Sequence, residues 1–300
     1  MGKRLAQEMT NKTVIIIVGP TAAGKTAAAI RLAQQLQTKI ISADSRQCYR
    51  ELNIGVAKPS PSELSAVPHY FIDSHSISEE VNAAVYEKLA LQWADEIFAH
   101  SDYAVMVGGT GLYIKAFTDG LDDIPPADES IRLHLQRNYE TLGIGWLQQE
   151  ILKYDPEYYS TGEIQNPQRL MRALEVRLTT GQSILSFRSG GSRVRPFNVR
   201  KIGIEVSKEE LHRRIHDRVD RMMADGLLEE VRSLLPYRTH NALQTVGYRE
   251  LFDYLDGKVG LEEAVENIKT STRQYAKRQL TWFRRDRSTV WMAPDASFPI

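Results

Sequence analysis

Apolar residues recur along this chain with two different periods, and each change of period marks an element. Residues 13–18, Thr-Val-Ile-Ile-Ile-Val, are almost wholly apolar with no polar alternation, the pattern of a parallel strand buried on both faces. Residues 39–44 and 103–109 read as two further strands, the first ending in Asp44 and the second in two glycines. Between them, Val81, Val85, Leu89, Trp93 and Ile97 recur every four residues within 78–99. That spacing predicts a helix with Ser78 as N-cap and the stripe, Trp93 included, in the core. Strands alternating with helices predict a doubly wound α/β sheet.

After residues 120–130 the pattern changes. From Ile131 to about Gly181 it is helical with no buried strand, 186–198 reads as a flexible basic loop, and 200–206 returns to strand. Ser207 and Glu210 have capping-box spacing and predict the start of a helix, and the remaining chain is helical to about Arg284. The predicted organisation is an α/β core over 1–121 and 198–300, interrupted at 122–197 by a mostly helical insertion.

Composition narrows the class. With 300 residues, 42% hydrophobic and 25% charged, the chain suits a globular protein, and its zero net charge means a polyanion must be met by a local patch. The lone Cys48 excludes an intrachain disulfide or thiolate cluster and suits a reducing cytoplasm. No apolar run approaches the length of a membrane span, and the first residues lack a signal-peptide core. A cytoplasmic protein is expected, and neutral charge with local patches is compatible with a monomer.

The strongest motif is Gly19-Pro20-Thr21-Ala22-Ala23-Gly24-Lys25-Thr26, which has the phosphate-loop spacing G-x-x-x-x-G-K-[ST] between a strand and a helix. Its glycines let backbone N–H groups converge on phosphate oxygens, Lys25 adds a point charge, and the Thr26 hydroxyl can ligate Mg²⁺. The usual nucleoside-triphosphatase partners are missing. No apolar strand ends in Asp-Glu, no Asn-Lys-x-Asp follows, and Thr110 stands after glycines where an acidic strand end would be expected. Asp44 falls at the ligand edge of a strand and suits a base, a Mg²⁺ ligand or a helix cap, with Gln47 and Lys58 equally open.

Basic residues cluster further on. Arg214, Arg218 and Arg221 make a row on one helix, either a solvated face or a phosphate clamp, while Leu211, Ile215 and Met222 take another stripe. His212 and His216 lack a third ligand and read as a surface pair. Residues 269–287 hold seven Lys/Arg with Tyr275, Trp282 and Phe283. The aromatics read as core anchors, and the stripe Lys269, Arg273, Lys277 as a nucleic-acid surface. Arg169 and Arg172 lie one turn apart after a proline at a helix start.

Taken in order, "GPTAAGKT", "SADSRQCYRELNIGVAKP", "PHYFID", "VGGTGLYIKA", "NPQRLMRALEV", "TVGYREL" and "YAKRQLTWFRR" span about 15 to 287 and resemble the tRNA dimethylallyltransferase family. The resemblance implies a kinase-like phosphate-loop α/β core with a helical insert. It also implies transfer of a dimethylallyl group from dimethylallyl diphosphate to N6 of the adenosine 3′ of the anticodon. Gly19 to Thr26 would then hold the diphosphate, with Lys25, Arg218 and Mg²⁺ on Thr26 stabilising the leaving group. Asp44 would take the N6 proton and Thr110 would fix the geometry. Asp44, Ser45, Arg46 and Gln47 would meet the extruded base. The anticodon stem-loop would be gripped by Gln168, Arg169, Leu170, Met171 and Arg172; by Thr245, Val246, Gly247, Tyr248 and Arg249; and by Lys277, Arg278, Gln279, Leu280, Thr281, Trp282, Phe283 and Arg284. Two positions depart from the family pattern, Val56 where Thr is usual and Ala23 where Ser is common. The competing readings are a small-molecule kinase using ATP in the same loop, and an RNA-binding protein without chemistry.

Overall fold

Six parallel strands form one sheet in the order β3-β2-β4-β1-β5-β6 in the computed structural model, which describes residues 11–188 and 190–298. Residues 1–10, on which the expectation of no leader rests, and Ser189 in the basic loop lie outside the described residues. The strands are β1 (Thr13–Val18), β2 (Ile40–Ala43), β3 (His69–Tyr70), β4 (Tyr103–Gly108), β5 (Asn198–Ile204) and β6 (Val290–Met292). The core helices are α1 (Lys25–Gln35), α2 (Pro61–Ala66), α3 (Ala83–Phe98) and α4 (Gly111–Asp119). The chain splits into two compact units, residues 1–119 with 193–300, and residues 120–192.

The smaller unit holds α5 (Glu129–Tyr154), α6 (Pro156–Thr161) and α7 (Pro167–Thr180) around its own core of Leu135, Leu147, Ile151, Tyr158, Leu170 and Leu174. Gly143 (φ 74°) breaks α5 into two segments. In the larger unit the chain continues through α8 (Lys208–Ala224), α9 (Leu227–Ser233), α10 (Tyr248–Leu255) and α11 (Leu261–Phe283).

Strand register sets the functional edge. Ala43 pairs with Gly108, and Val18 with Gly203, so β2, β4 and β1 release their loops at the same carboxyl edge. This is where open α/β sheets bind ligands. Gly108 lies so close to the Ala43 backbone that a side chain there would collide with it.

Two local expectations for α3 are corrected. Asn82, not Ser78, caps α3, its side chain accepting from Ala84 N and Val85 N at 3.0 Å each. The buried stripe of α3 is Tyr86, Ala90, Ala94 and Ile97, while Val85 and Trp93 only flank it. Small alanines let the helix approach the sheet, and Tyr86 tolerates burial because its hydroxyl donates to Ser42 O (3.1 Å). α11 ends at Phe283, as the pattern predicts, and β6, which no pattern announced, adds a sixth strand beside β5. Ser207 does cap α8, accepting from Glu210 N (3.1 Å), but the Glu210 carboxylate pairs with Arg213 and Arg214.

Candidate active site

The loop between β1 and α1 takes its shape from three residues with positive φ, Gly19 (143°), Ala22 (65°) and Gly24 (95°). Gly24 precedes α1, and no side chain caps the first turn, so the N–H groups there are directed at whatever lies in front of them. The loop also folds on itself. Ala23 N donates to Pro20 O (3.3 Å), and Lys25 Nζ donates to the same carbonyl at 2.7 Å. Arg218, on α8, donates from Nη1 to Thr21 Oγ1 at 3.2 Å.

Two cations therefore converge on one helix N-terminus. Desolvation pushes the Lys25 ammonium down to about 7, the charge of Arg218 adds to this, and Asp44 pulls the other way. Arg218 is itself lowered, by burial first and then by Arg221. Like charges held together at a positive dipole end are satisfied by an anion carrying several charges.

Thr21, Lys25, Thr26, Lys58, Arg218 and Arg221 line a cavity of about 820 Å³ in front of the loop. Gly19, Pro20 and Ala23, expected to hold a diphosphate, do not line it. Pro20 has no N–H, Gly19 presses on the Ile204 backbone, and Ala23 is wholly buried with its N–H already on Pro20. The departure from Ser at Ala23 therefore alters the underside of the loop, away from the cavity.

A second cavity of about 330 Å³ is lined by Asp44, Ser45, Arg46, Arg249, Tyr275 and Arg278. The two cavities share Thr21, Ala57, Arg218 and Met222 and so meet at that wall. Asp44 is held as a turn cap through one oxygen only. Its Oδ1 accepts from Arg46 N (2.8 Å) and Gln47 N (3.3 Å), and Oδ2 takes neither bond. Thr110 does not line the cavity. Its hydroxyl accepts from Ser45 N (3.0 Å) and donates to Ser45 Oγ (3.3 Å), fixing the turn that carries Asp44.

Gln47 is likewise occupied, its Nε2 donating to Val56 O (3.2 Å) and Ala57 O (2.9 Å). This joins the Asp44 turn to the 53–58 segment that walls both cavities. Lys58 anchors the same segment by donating to Tyr49 O (2.7 Å) and Asn53 Oδ1 (3.1 Å) and pairing with Asp73. The residue that sequence reasoning missed is Glu230 on α9. Its carboxylate accepts from the N–H groups of Asn53 (3.1 Å), Ile54 (2.8 Å) and Gly55 (3.1 Å), and from Tyr248 Oη (2.6 Å). Glu230→Ala would leave these four donors without their acceptor. We expect a loss of about 1–3 kcal/mol, read as a lower urea midpoint at unchanged slope.

The residues expected to grip RNA divide by burial. Leu170, Tyr248, Gln279 and Phe283 have buried side chains, whereas Gly247, equally buried, lends its backbone to the lining of the second cavity. Tyr248 serves Glu230 and packs on Gly55. Gln168, Arg249, Lys277, Arg278 and Thr281 are exposed. Met171, Thr245, Val246, Leu280 and Trp282 are half-buried. Arg172 donates to Pro125 O (3.0 Å) and pairs with Glu175, Arg169 pairs with Glu163, and Arg284 with Glu205. Arg46 donates to Asn241 O (2.9 Å).

The basic stripe of α11 is also divided. Lys269 is held by Asp220 and Glu266, whereas Lys277 and Arg278 make no salt bridge among the described residues. Arg214 of the arginine row pairs with Glu210 and donates to Ala23 O (3.3 Å) beneath the loop. His216 lies against Arg273, and no group of three His, Cys, Asp or Glu side chains among the described residues could hold a metal. Cys48 is buried, with its thiol pushed up to about 12, by burial first and then by Asp44.

Fold and site together define a phosphate-loop transferase of the kinase-like α/β class, with a carboxylate facing a second cavity across from the phosphate loop. A family described as IPP transferase matches residues 47–286. The tRNA dimethylallyltransferase of Cytophaga hutchinsonii is 46% identical over 284 residues, covering 95% of this chain and 93% of its own. That of Christiangramia forsetii is 48% identical over 282 residues, covering 94% and 93%. The tRNA isopentenylpyrophosphate transferase of Bacillus halodurans superposes with a TM-score of 0.69 at 38% identity, covering 96% of this chain and 92% of its own. A eukaryotic dimethylallyltransferase crystallised acting on tRNA gives 0.78 at 26% identity, covering 94% and 74%. The chain belongs to the IPP transferase family.

Proposed function

We propose that this protein transfers a dimethylallyl group from dimethylallyl diphosphate to N6 of the adenosine 3′ of the anticodon in tRNA, releasing diphosphate. The observation that carries the reading is the shared wall of the two cavities, where Thr21, Ala57, Arg218 and Met222 belong to both. With diphosphate on the loop, the allylic carbon comes to that wall with its hydrocarbon against Ala57 and Met222. A base entering beside Asp44 then faces this carbon opposite the departing oxygen.

The step balances simply. The N6 lone pair forms the new C–N bond, the allylic C–O bond breaks with its electrons on diphosphate, and the N6 proton passes to Asp44. Adenine N6 is barely basic and becomes acidic only as the bond forms, so an aligned carboxylate suffices. Lys25, Arg218 and the first-turn N–H groups of α1 stabilise the charge that develops on the leaving group. Thr26 suits Mg²⁺, because it lines the cavity and carries a hydroxyl, one of the hard oxygen donors this ion prefers. When bound, the ion supplies further neutralisation of the diphosphate.

The adenosine must leave the anticodon-loop stack, at a cost of a few kcal/mol. The exposed cations Arg249 and Arg278 at the second cavity, with Lys277 beside them, support backbone contacts around the extruded base. Gln168 and Arg169 of the helical insertion, both exposed, would also hold the stem-loop. The lone, buried Cys48 supports a reducing cytoplasm as the setting, and the reading takes the protein as a monomer acting on tRNA there.

The test is to incubate the protein with Mg²⁺, an unmodified anticodon stem-loop and labelled dimethylallyl diphosphate, beside a tube with γ-labelled ATP. Label on the RNA, lost when the adenosine is replaced by guanosine, is expected. Transfer or hydrolysis from ATP alone would overturn the reading.

A further inference from the structure

Gln279 belongs to the basic helix α11, yet it faces inward and is only 6% exposed. Both ends of its amide are used. Oε1 accepts from the N–H of Thr21 at 2.8 Å, and Nε2 donates to Gly109 O at 3.0 Å. Thr21 is the phosphate-loop residue that holds Arg218 and borders both cavities. Gly109 precedes Thr110, whose hydroxyl fixes the Asp44 turn. One buried amide thus ties the start of the phosphate loop to the end of β4 across the carboxyl edge of the sheet.

We infer that Gln279 is a positioning residue for the prenyl donor, setting the phosphate loop from the RNA-facing helix without touching RNA itself. Three observations favour this over a packing role. The Thr21 N–H is a loop donor whose direction decides where the Thr21 side chain and Arg218 stand. An amide accepts at its oxygen and donates at its nitrogen without carrying a charge, as these two backbone groups require. And Gly109 has room for the amide only because it lacks a side chain, since a Cβ there would fall on Nε2. The inference rests on the reading of the loop as the diphosphate site.

The experiment uses the full chain and separates donor from RNA. Gln279→Leu removes both hydrogen bonds, while Gln279→Glu keeps the acceptor for Thr21 and loses the donor to Gly109. Donor KM is measured at saturating stem-loop, and stem-loop Kd by direct binding without donor. The expected result is a donor KM raised about 10-fold or more for Gln279→Leu and less for Gln279→Glu, with RNA Kd within about 2-fold. Gly109→Ala displaces the amide without altering α11 and should raise donor KM in the same way. In a Gln279→Ala background, where the space is free, Gly109→Ala should cost much less, and this non-additivity is a readout general destabilisation does not give.

A weakened RNA Kd with unchanged donor KM would overturn the inference and make Gln279 an RNA contact. Equal losses in both, adding independently with Gly109→Ala, would overturn it in favour of a fold role. If the parent protein itself transferred no prenyl group, the functional reading would fail instead, and the two failures are distinguishable.

Discussion

Asp44→Asn should lower the single-turnover rate of prenyl transfer by about 10²–10⁴-fold while leaving stem-loop affinity and thermal stability near those of the parent. The magnitude is that of a lost general base. The reason for choosing Asn lies in how the side chain is held. Oδ1 of Asp44 accepts from Arg46 N and Gln47 N, a structural duty that an amide oxygen fulfils equally. Asn therefore keeps the turn, and with it the Ser45–Thr110 contacts, while removing the charge and the proton acceptor. Asp44→Ala would lose cap and base together and could not separate them. Single-turnover rates with saturating donor, together with RNA binding and melting curves, check the prediction. Turnover within about threefold of the parent would exclude Asp44 as base and return the site to RNA binding without this chemistry.

The parts of the site legible in the sequence are those whose chemistry is local. The loop from Gly19 to Thr26 declares itself because strand, turn and helix follow one another directly, and Asp44 because a carboxylate ends an apolar run. What stayed hidden depends on distant partners. Gln279 and Thr21 are 258 positions apart, and Glu230 and Ile54 are 176. Nothing in the run Leu227–Ser233 distinguishes Glu230 from Glu229, and only the fold brings it under three backbone N–H groups. The motif blocks behave similarly. "TVGYREL" and "YAKRQLTWFRR" each mix residues that face solvent with residues that hold the site from within, so Arg249 and Lys277 are exposed while Tyr248 and Gln279 are buried. Resemblance marks such a block as a unit without separating the two kinds. The errors in α3 have a simpler origin. A stripe with period four drifts around a helix of 3.6 residues per turn, and alanines carry too little hydrophobic signal to show the true buried face.

Arg218→Gln should reduce kcat/KM for the donor by about 10²–10³-fold, the loss expected when one preorganised partner of a developing anion is removed. Arg218 lines both cavities, whereas Lys25 lines only the one in front of the phosphate loop. Its guanidinium stands on Thr21 Oγ1 and lowers the neighbouring Lys25, so the two cations already act on one another before any anion arrives. Removing either relieves that repulsion as well as weakening the leaving-group site. The losses from Arg218→Gln and Lys25→Met should consequently combine to less than their product in the double variant. Arg218→Lys should recover only part of the activity, because a point charge does not reproduce the planar fork that bonds Thr21 and an anion together. Steady-state kinetics at varied donor, with stem-loop affinity measured separately, give all four values. Full multiplicativity of the two losses would mean that the cations serve different groups. A loss confined to stem-loop affinity would move Arg218 from the diphosphate to the RNA, and the shared wall of the two cavities would then not be where the allylic bond breaks.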